Sequence, residues 1–286
     1  MNDVSVRQNA VATALSRREQ RSTPRQSGAA TARLSLLVSF LLLAHGAFAV
    51  EVVEEIVEQK YPCDPDATLS IRNTDGAVRI YAGDVGEISI QAIKKAYTAE
   101  RLKTLVVDVK ATRTRIAIET IVPPRETGFS LSDRSGTVEY IIIVPQTTKI
   151  TQLELVNGEV LVEGLKGGSA TARLVNGWMA GHNCFGDLNL TVVNGRLDLA
   201  YDWWESQKFS VKASSQNASI RAYLPSDASA TITAQATTGW IVNGFEAKKS
   251  APAEPPHALN FAIGTEPDAA FEMKAANGNI RIDKMY

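Results

Sequence analysis

Cysteine, histidine and aromatic residues are all scarce in this 286-residue chain, with two Cys, three His, and Phe, Trp and Tyr together at 7%. Two cysteines cannot make a disulfide-dense mini-scaffold, and without a C-x-x-C pair the usual zinc and redox signatures are missing. His182 and His257 have no partner at ligand spacing, so no metal-ligating set is assigned. There is no H-E-x-x-H, G-x-S-x-G, phosphate-cradling glycine loop or calcium-binding nonapeptide. No excess of one charge appears either: 30 basic against 31 acidic residues give a net charge of −1, which excludes a polybasic nucleic-acid binder. A hydrophobic content of 44% and a charged content of 21% exclude a wholly disordered or collagenous chain. The length suits one large all-β domain or two smaller ones.

The longest apolar run is Leu34 to Ala44, well short of the roughly 20 residues of a spanning helix. Arg7, Arg17, Arg18, Arg21, Arg25 and Arg33 precede it, and the small-x-small triplet Ala47-Phe48-Ala49 follows it. Basic region, short apolar core and A-x-A predict an N-terminal extension and secretory signal peptide over 1–49. A retained signal anchor is the alternative. Cleavage leaves 24 basic and 29 acidic residues, a net charge of −5, in a chain that is then no integral membrane protein. The predicted location is the periplasm, cell surface or medium. Neither nucleic acid nor an anionic lipid surface is an expected partner.

From Val50 onward apolar and polar residues alternate at period two, as in Leu69-Ser-Ile71, Val78-Arg-Ile80, Ile88-Ser-Ile90 and Val138-Glu-Tyr140. That period and the β-branched content predict strands with one buried face. Only Thr98 to Leu105 reads as helix, for about two turns. Cys63 and Cys184 can pair in an oxidising compartment or stay as two buried free thiols, and the second reading is preferred.

Beyond Thr151 a repeat emerges. Leu153-Glu-Leu-Val-Asn-Gly158 returns as Ala172-Arg-Leu-Val-Asn-Gly177 and Leu190-Thr-Val-Val-Asn-Gly195, with looser copies around Asn217, Gly239 and Asn277-Gly278. One unit reads as strand, Asn-Gly corner, strand and return turn, and it cannot bury its apolar face alone. The corners Asn157, Gly158, Asn176, Gly177, Asn194, Gly195, Asn277 and Gly278 are assigned as structural turns. Two geometries fit. Asn-Gly is a favoured hairpin turn because both positions accept φ > 0, which gives an antiparallel meander or two-sheet sandwich. Alternatively the units are coils stacked in register as a β-solenoid, which explains why the strand letters recur with the corner; this reading is preferred. It makes 50–286 a single β-strand-repeat domain, with N-terminal strands over 50–145 and a Val-Asn-Gly coil array over 146–286. The asparagines either tolerate a left-handed turn and nothing more, the simpler reading, or hydrogen-bond to one another as a ladder, or line a polar edge that binds a ligand.

Three stretches together resemble a known family: Thr68-Leu-Ser-Ile-Arg-Asn-Thr-Asp-Gly-Ala-Val-Arg-Ile80 with Ile88 to Ala96, the Val-Asn-Gly run, and Ala276-Asn-Gly-Asn-Ile-Arg-Ile282. On them the chain is similar to the bacterial exported "putative adhesin" family of β-strand-repeat domains of unknown function, which is head-GIN-like. The resemblance implies an all-β repeat fold, export and no known enzymatic activity, and it supplies no catalytic, cofactor or metal residues. Ala251-Pro-Ala-Glu-Pro-Pro256 and the Asn-less Ala236-Thr-Thr-Gly239 depart from the array.

One surface candidate stands out. Tyr201-Asp-Trp-Trp-Glu-Ser-Gln-Lys-Phe209 lengthens one repeat, and insertions in solenoids often carry binding. Tyr201, Trp203, Trp204 and Phe209 are therefore candidates for contacting an envelope protein or surface glycan, against the more common fate of a lid packed into the core. The expectation is a non-enzymatic envelope binding, adhesion or scaffold module. The rivals are a polysaccharide-active β-helix enzyme and an envelope-stress or signalling accessory.

Overall fold

The computed structural model describes residues 52–123, 135–246 and 256–285. The expected signal peptide and cleavage triplet, and most of the Pro-rich interruption at 251–256, lie outside the described residues. The described chain is nearly all strand, as the period-two pattern predicts. The one helix, α1 (Ala99–Thr104), begins where Thr98 Oγ1 accepts from the Arg101 N–H, one of the otherwise unpaired donors of a helix start.

Four long strands form the centre: β7 (Lys149–Glu163), β8 (Lys166–His182), β9 (Phe185–Ala200) and β10 (Phe209–Pro225), with β2 (Thr68–Gly83) laid against β7. Each is parallel to the next, and the repeated letters fall into register: Asn157 on Asn176 on Asn194 on Asn217. Parallel neighbours normally need a crossover of a dozen residues. Yet only Gly164 and Leu165 separate β7 from β8, whose first residues pair beside Lys149. Two residues bridge that return only because each strand folds back at its Asn-Gly corner. Each repeat is thus one flattened coil, and successive coils stack. A meander is excluded for this array, because its neighbours would be antiparallel.

Two facing sheets result. Residues before the corner form sheet I and residues after it form sheet II. At the N-terminal end, sheet I is extended by β5 (Arg115–Ile121) and antiparallel β4 (Val106–Ala111). Sheet II is extended there by β6 (Thr137–Pro145), β3 (Glu87–Ala96) and β1 (Val53–Pro62), the last two pairings antiparallel. At the other end the chain order breaks. The last coil, β14 (Ala269–Ala275) and β15 (Ile280–Met285), inserts between β10 and the earlier pair β11 (Ala230–Ala236) and β12 (Ile241–Asn243). Strand β13 (Ala258–Ile263) edges β11. One core cluster runs between the sheets, with Leu155, Leu174 and Val192 from sheet I facing Val160, Met179, Leu197, Ile220 and Ile280 from sheet II.

The corners are not turns in the hairpin sense. Strand pairing continues through the corners of β7, β8, β9 and β10 and breaks at Asn277-Gly278, and Asn183 is the only described non-glycine residue with positive φ. The hairpin-turn reading of Asn157, Asn176 and Asn194 is therefore corrected: these asparagines keep ordinary backbone and the glycine beside each bends, whereas Asn277-Gly278 is a bend between two strands. Gly158, Gly177 and Gly195 have φ of 137°, 136° and 129°. A Cβ on Gly158 would lie 1.7 Å from the Gly76 carbonyl oxygen, and one on Gly177 1.9 Å from that of Gly158. The coils approach too closely there for any side chain.

The asparagines then do what the simpler reading denied them. Asn157 Nδ2 donates to Asp75 Oδ1 (2.7 Å), Asn176 to Asn157 (2.8 Å), Asn194 to Asn176 (2.8 Å), Asn217 to Asn194 (2.9 Å) and Asn277 to Asn217 (2.9 Å). Thr238 takes the place of the missing asparagine, its hydroxyl shared between the Ala276 carbonyl at 3.1 Å and Asn277 Oδ1 at 3.3 Å. All donors point one way, toward the Asp75 carboxylate, so the amide dipoles reinforce one another.

Gly177→Ala combines strained backbone with a carbonyl clash and is expected to cost about 3 kcal/mol or more, read as a lowered urea midpoint or loss of folded protein. Ala218→Gly, at the same corner column of β10, is expected to cost about 1 kcal/mol or less.

Candidate functional site

The insertion between β9 and β10 sits at the return corner of the coils, opposite the asparagine ladder. Gly164 and Asn183 open successive return turns with φ of 76° and 48°. Asn is the one side chain other than glycine that enters this region routinely, because its short amide bonds locally. Asn183 Oδ1 accepts from the Asp202 N–H (2.8 Å), and its Nδ2 donates to Asp202 Oδ2 (3.1 Å). His182 Nε2 meets the same oxygen at 2.9 Å, and its Nδ1 lies 3.4 Å from Glu163 Oε1. The Asn183 hydrogen bond, then the His182 contact, hold the Asp202 carboxyl below the usual carboxylate range against a smaller effect of burial.

The four aromatic candidates separate. Tyr201 is fully buried and Phe209 nearly so, and Trp204 packs against the core. These three are corrected from surface to core. With Phe185 and Phe271 they form a cluster whose centroids lie 5.5–6.4 Å apart in mostly edge and tilted contacts, the geometry that ring quadrupoles favour. The Tyr201 hydroxyl donates to the Cys184 carbonyl (2.9 Å), and burial drives its pKa well above the usual value. The coil is thus plugged where the longer repeat would leave it hollow. Trp203 alone faces out, 50% exposed, with its ring 6.2 Å from Phe185.

Trp203 stands at the rim of an open cleft of about 270 Å³, beside Tyr81, Glu163, Lys166, Asn183 and Glu205. Lys166 Nζ lies 2.7 Å from Glu205 Oε2, and Trp203 Nε1 donates to Glu205 Oε1 at 3.2 Å. Lys166 chiefly, then Trp203, hold the Glu205 carboxyl below its ordinary range despite a smaller opposing effect of burial. The result is an indole with a fixed tilt flanked by a cation, carboxylates and an amide, suited to docking a polar ligand with one flat apolar face. Of the residues expected from the sequence only Trp203 lies here; Glu205 comes from the same insertion, whereas Tyr81, Glu163, Lys166 and Asn183 come from other coils, which the sequence alone does not bring together.

Cys63 and Cys184 are both buried and unpaired, so the possible disulfide is not formed. Burial pushes the Cys184 thiol up to about 12, and its Sγ donates to the Val162 carbonyl (3.3 Å) inside the core. Among the described residues no group of three or more His, Cys, Asp or Glu is placed to hold a metal ion, and no helix is long and apolar enough to cross a membrane.

Phe271→Ala is expected to cost about 3–5 kcal/mol, whereas Trp203→Ala should change stability by no more than about 0.5 kcal/mol, both from urea denaturation. The depressed Asp202 carboxyl stabilises the fold fully above the ordinary Asp value of about 3.9 and loses that contribution as pH falls through its lower folded-state value. Asp202→Asn should therefore lower the thermal midpoint at neutral pH and bring the two proteins closer together in acid.

No protein-family model matches the chain, and no curated protein matches it. Among solved structures it is similar to a "putative cell adhesion protein" from Clostridium sporogenes, at 15% identity and a TM-score of 0.49, over 82% of this chain and 100% of that one. It is also similar to a "putative adhesin" from Bacteroides fragilis, at 11% identity and a TM-score of 0.32, over 80% of this chain and 97% of that one.

Proposed function

We propose that the chain is an exported, non-enzymatic binding module of the bacterial envelope, of adhesion or scaffold type, that docks its partner at the Trp203 corner. The observation that carries this reading is the half-exposed Trp203 indole, held against Phe185 over a sealed aromatic plug at the rim of a polar cleft. A rigid stack presents such a group without ordering it at the moment of binding, which lowers the entropic cost of association. Export rests on the sequence of the first 49 residues.

The polysaccharide-active enzyme is the rival to weigh, because Glu163 and Glu205 both line the cleft. Glycoside chemistry needs one carboxyl that holds a proton near neutral pH. Lys166 favours the ionised form of Glu205, so Glu205 could serve such an enzyme only as its nucleophile or base and the acid would have to be Glu163.

Purified protein incubated with envelope fractions from its own cells should be retained, and Trp203→Ala should weaken retention about tenfold, the usual cost of truncating a central aromatic anchor. Retention unchanged by Trp203→Ala would remove the corner from the proposal. Glycan hydrolysis that disappears in Glu205→Gln would replace the binding reading with an enzyme.

A further inference from the structure

The residue after each corner position forms a column of its own. Glu159, Trp178, Arg196, Ser219, Asn279 and Trp240 follow Gly158, Gly177, Gly195, Ala218, Gly278 and Gly239 on the outer face of sheet II beside the asparagine ladder, and Glu159 at the β7 end is engaged by Arg79. Trp178 and Trp240 are separated by four strand steps, from β8 through β9, β10 and β15 to β12, about 19 Å at about 4.8 Å per step. The ladder holds this spacing rigidly, because each amide is bonded to the next coil.

The two ends are indoles. Trp240 is 50% exposed and its backbone N–H is fixed by Asn279 Oδ1 at 3.1 Å. Trp178 donates through Nε1 to Asp198 Oδ2 (2.8 Å), and the Arg196 guanidinium, paired with the same oxygen at 2.8 Å, lies over its ring at 5.6 Å. Between them the next outward row brings Arg221 in register beside Arg281. Arg281 is engaged by Asp283. Arg221 is exposed and has no ion-pair partner among the described residues. A shallow hollow of about 200 Å³ joins Trp240, Arg221, Arg281, Asn279 and Ser219.

The geometry points to a linear recognition strip for an extended, carboxylate-bearing polysaccharide lying along the stack. The strand spacing is close to the rise of one pyranose in an extended chain, so successive sugars meet successive coils. The exposed Trp240 indole stacks on the apolar face of a sugar ring, and Trp178 with Arg196 over its ring closes the other end of the strip. Ser219 and Asn279 offer hydrogen bonds to hydroxyls, and the Arg221 fork, in register beside an Asp198 carboxylate that Trp178 and Arg196 already engage, matches a carboxylate. This inference adds a ligand class to the binding reading above and rests on that reading, but it uses a surface separate from the Trp203 corner.

Native gel electrophoresis of the purified protein through gels containing alginate, a polyuronate, or dextran, a neutral glucan, tests it. The expected result is retardation by alginate and not by dextran, weakening as salt rises. Trp240→Ala and Arg221→Gln should each reduce the affinity for alginate about tenfold, while Trp203→Ala leaves it unchanged. Absence of alginate retardation, or retardation indifferent to both Trp240→Ala and Arg221→Gln, overturns the strip. Envelope retention that depends on Trp240 but survives periodate destruction of glycans overturns the glycan in favour of a protein. No alginate retardation while envelope retention still depends on Trp203 is failure of the strip alone; alginate binding intact while retention is indifferent to Trp203→Ala is failure of the corner reading alone.

Discussion

The close approach of backbone to backbone at the coil corners is the constraint from which the rest of this structure follows. At Gly76, Gly158, Gly177 and Gly195 a carbonyl of one coil occupies the space a side chain of the next would need. Contact at that distance brings the neighbouring asparagines within hydrogen-bonding reach of one another, so the glycine column makes the ladder possible. The ladder in turn opposes slippage of register. A slip of one residue would turn Leu155, Leu174 and Val192 outward and empty the core. Corner, ladder and core therefore select the same alignment, which is the agreement between levels that gives a chain one fold.

Stacking alone leaves open ends, and the chain closes them differently at each. At the N-terminal end antiparallel strands β1, β3 and β4 depart from the coil pattern, and β1 carries Glu54, Glu55 and Glu58, charges that discourage further pairing at an edge. At the other end the last coil enters between β10 and β11, so Phe271, Met273, Ile280 and Ile282 are core residues although they lie close to the C-terminus. The longest repeat would leave a void at the return corner. Tyr201, Trp204 and Phe209 fill it, and Trp203 is left as the exposed member of a buried cluster.

Much of this was legible in the sequence. Period-two alternation in Leu69 to Ile80 and Val138 to Val144 marked strands, and Thr98 marked the start of the short helix. Recurrence of Leu-Val-Asn-Gly favoured stacked coils over a meander, because only stacking gives identical residues a reason to recur. The asparagine ladder was one of three readings and not the favoured one, since a left-handed turn explains Asn-Gly equally well from letters alone. The aromatic insertion was visible, but which of adjacent Trp203 and Trp204 faces out was not: that depends on Phe185 and Phe271, which lie 16 or more residues before and 62 or more after the insertion's core rings.

The sequence by itself determined class, period and corner, because alternation, glycine and asparagine act over a few residues and need no distant partner. Only the tertiary structure decided that the last coil sits inside the one before it, that Glu163, Lys166 and Asn183 gather around one indole, and that Trp178 and Trp240 share a line with Arg196 between them. Those are consequences of which coil lies on which, and coil order is set by burial summed over the whole stack, not by any single stretch of chain.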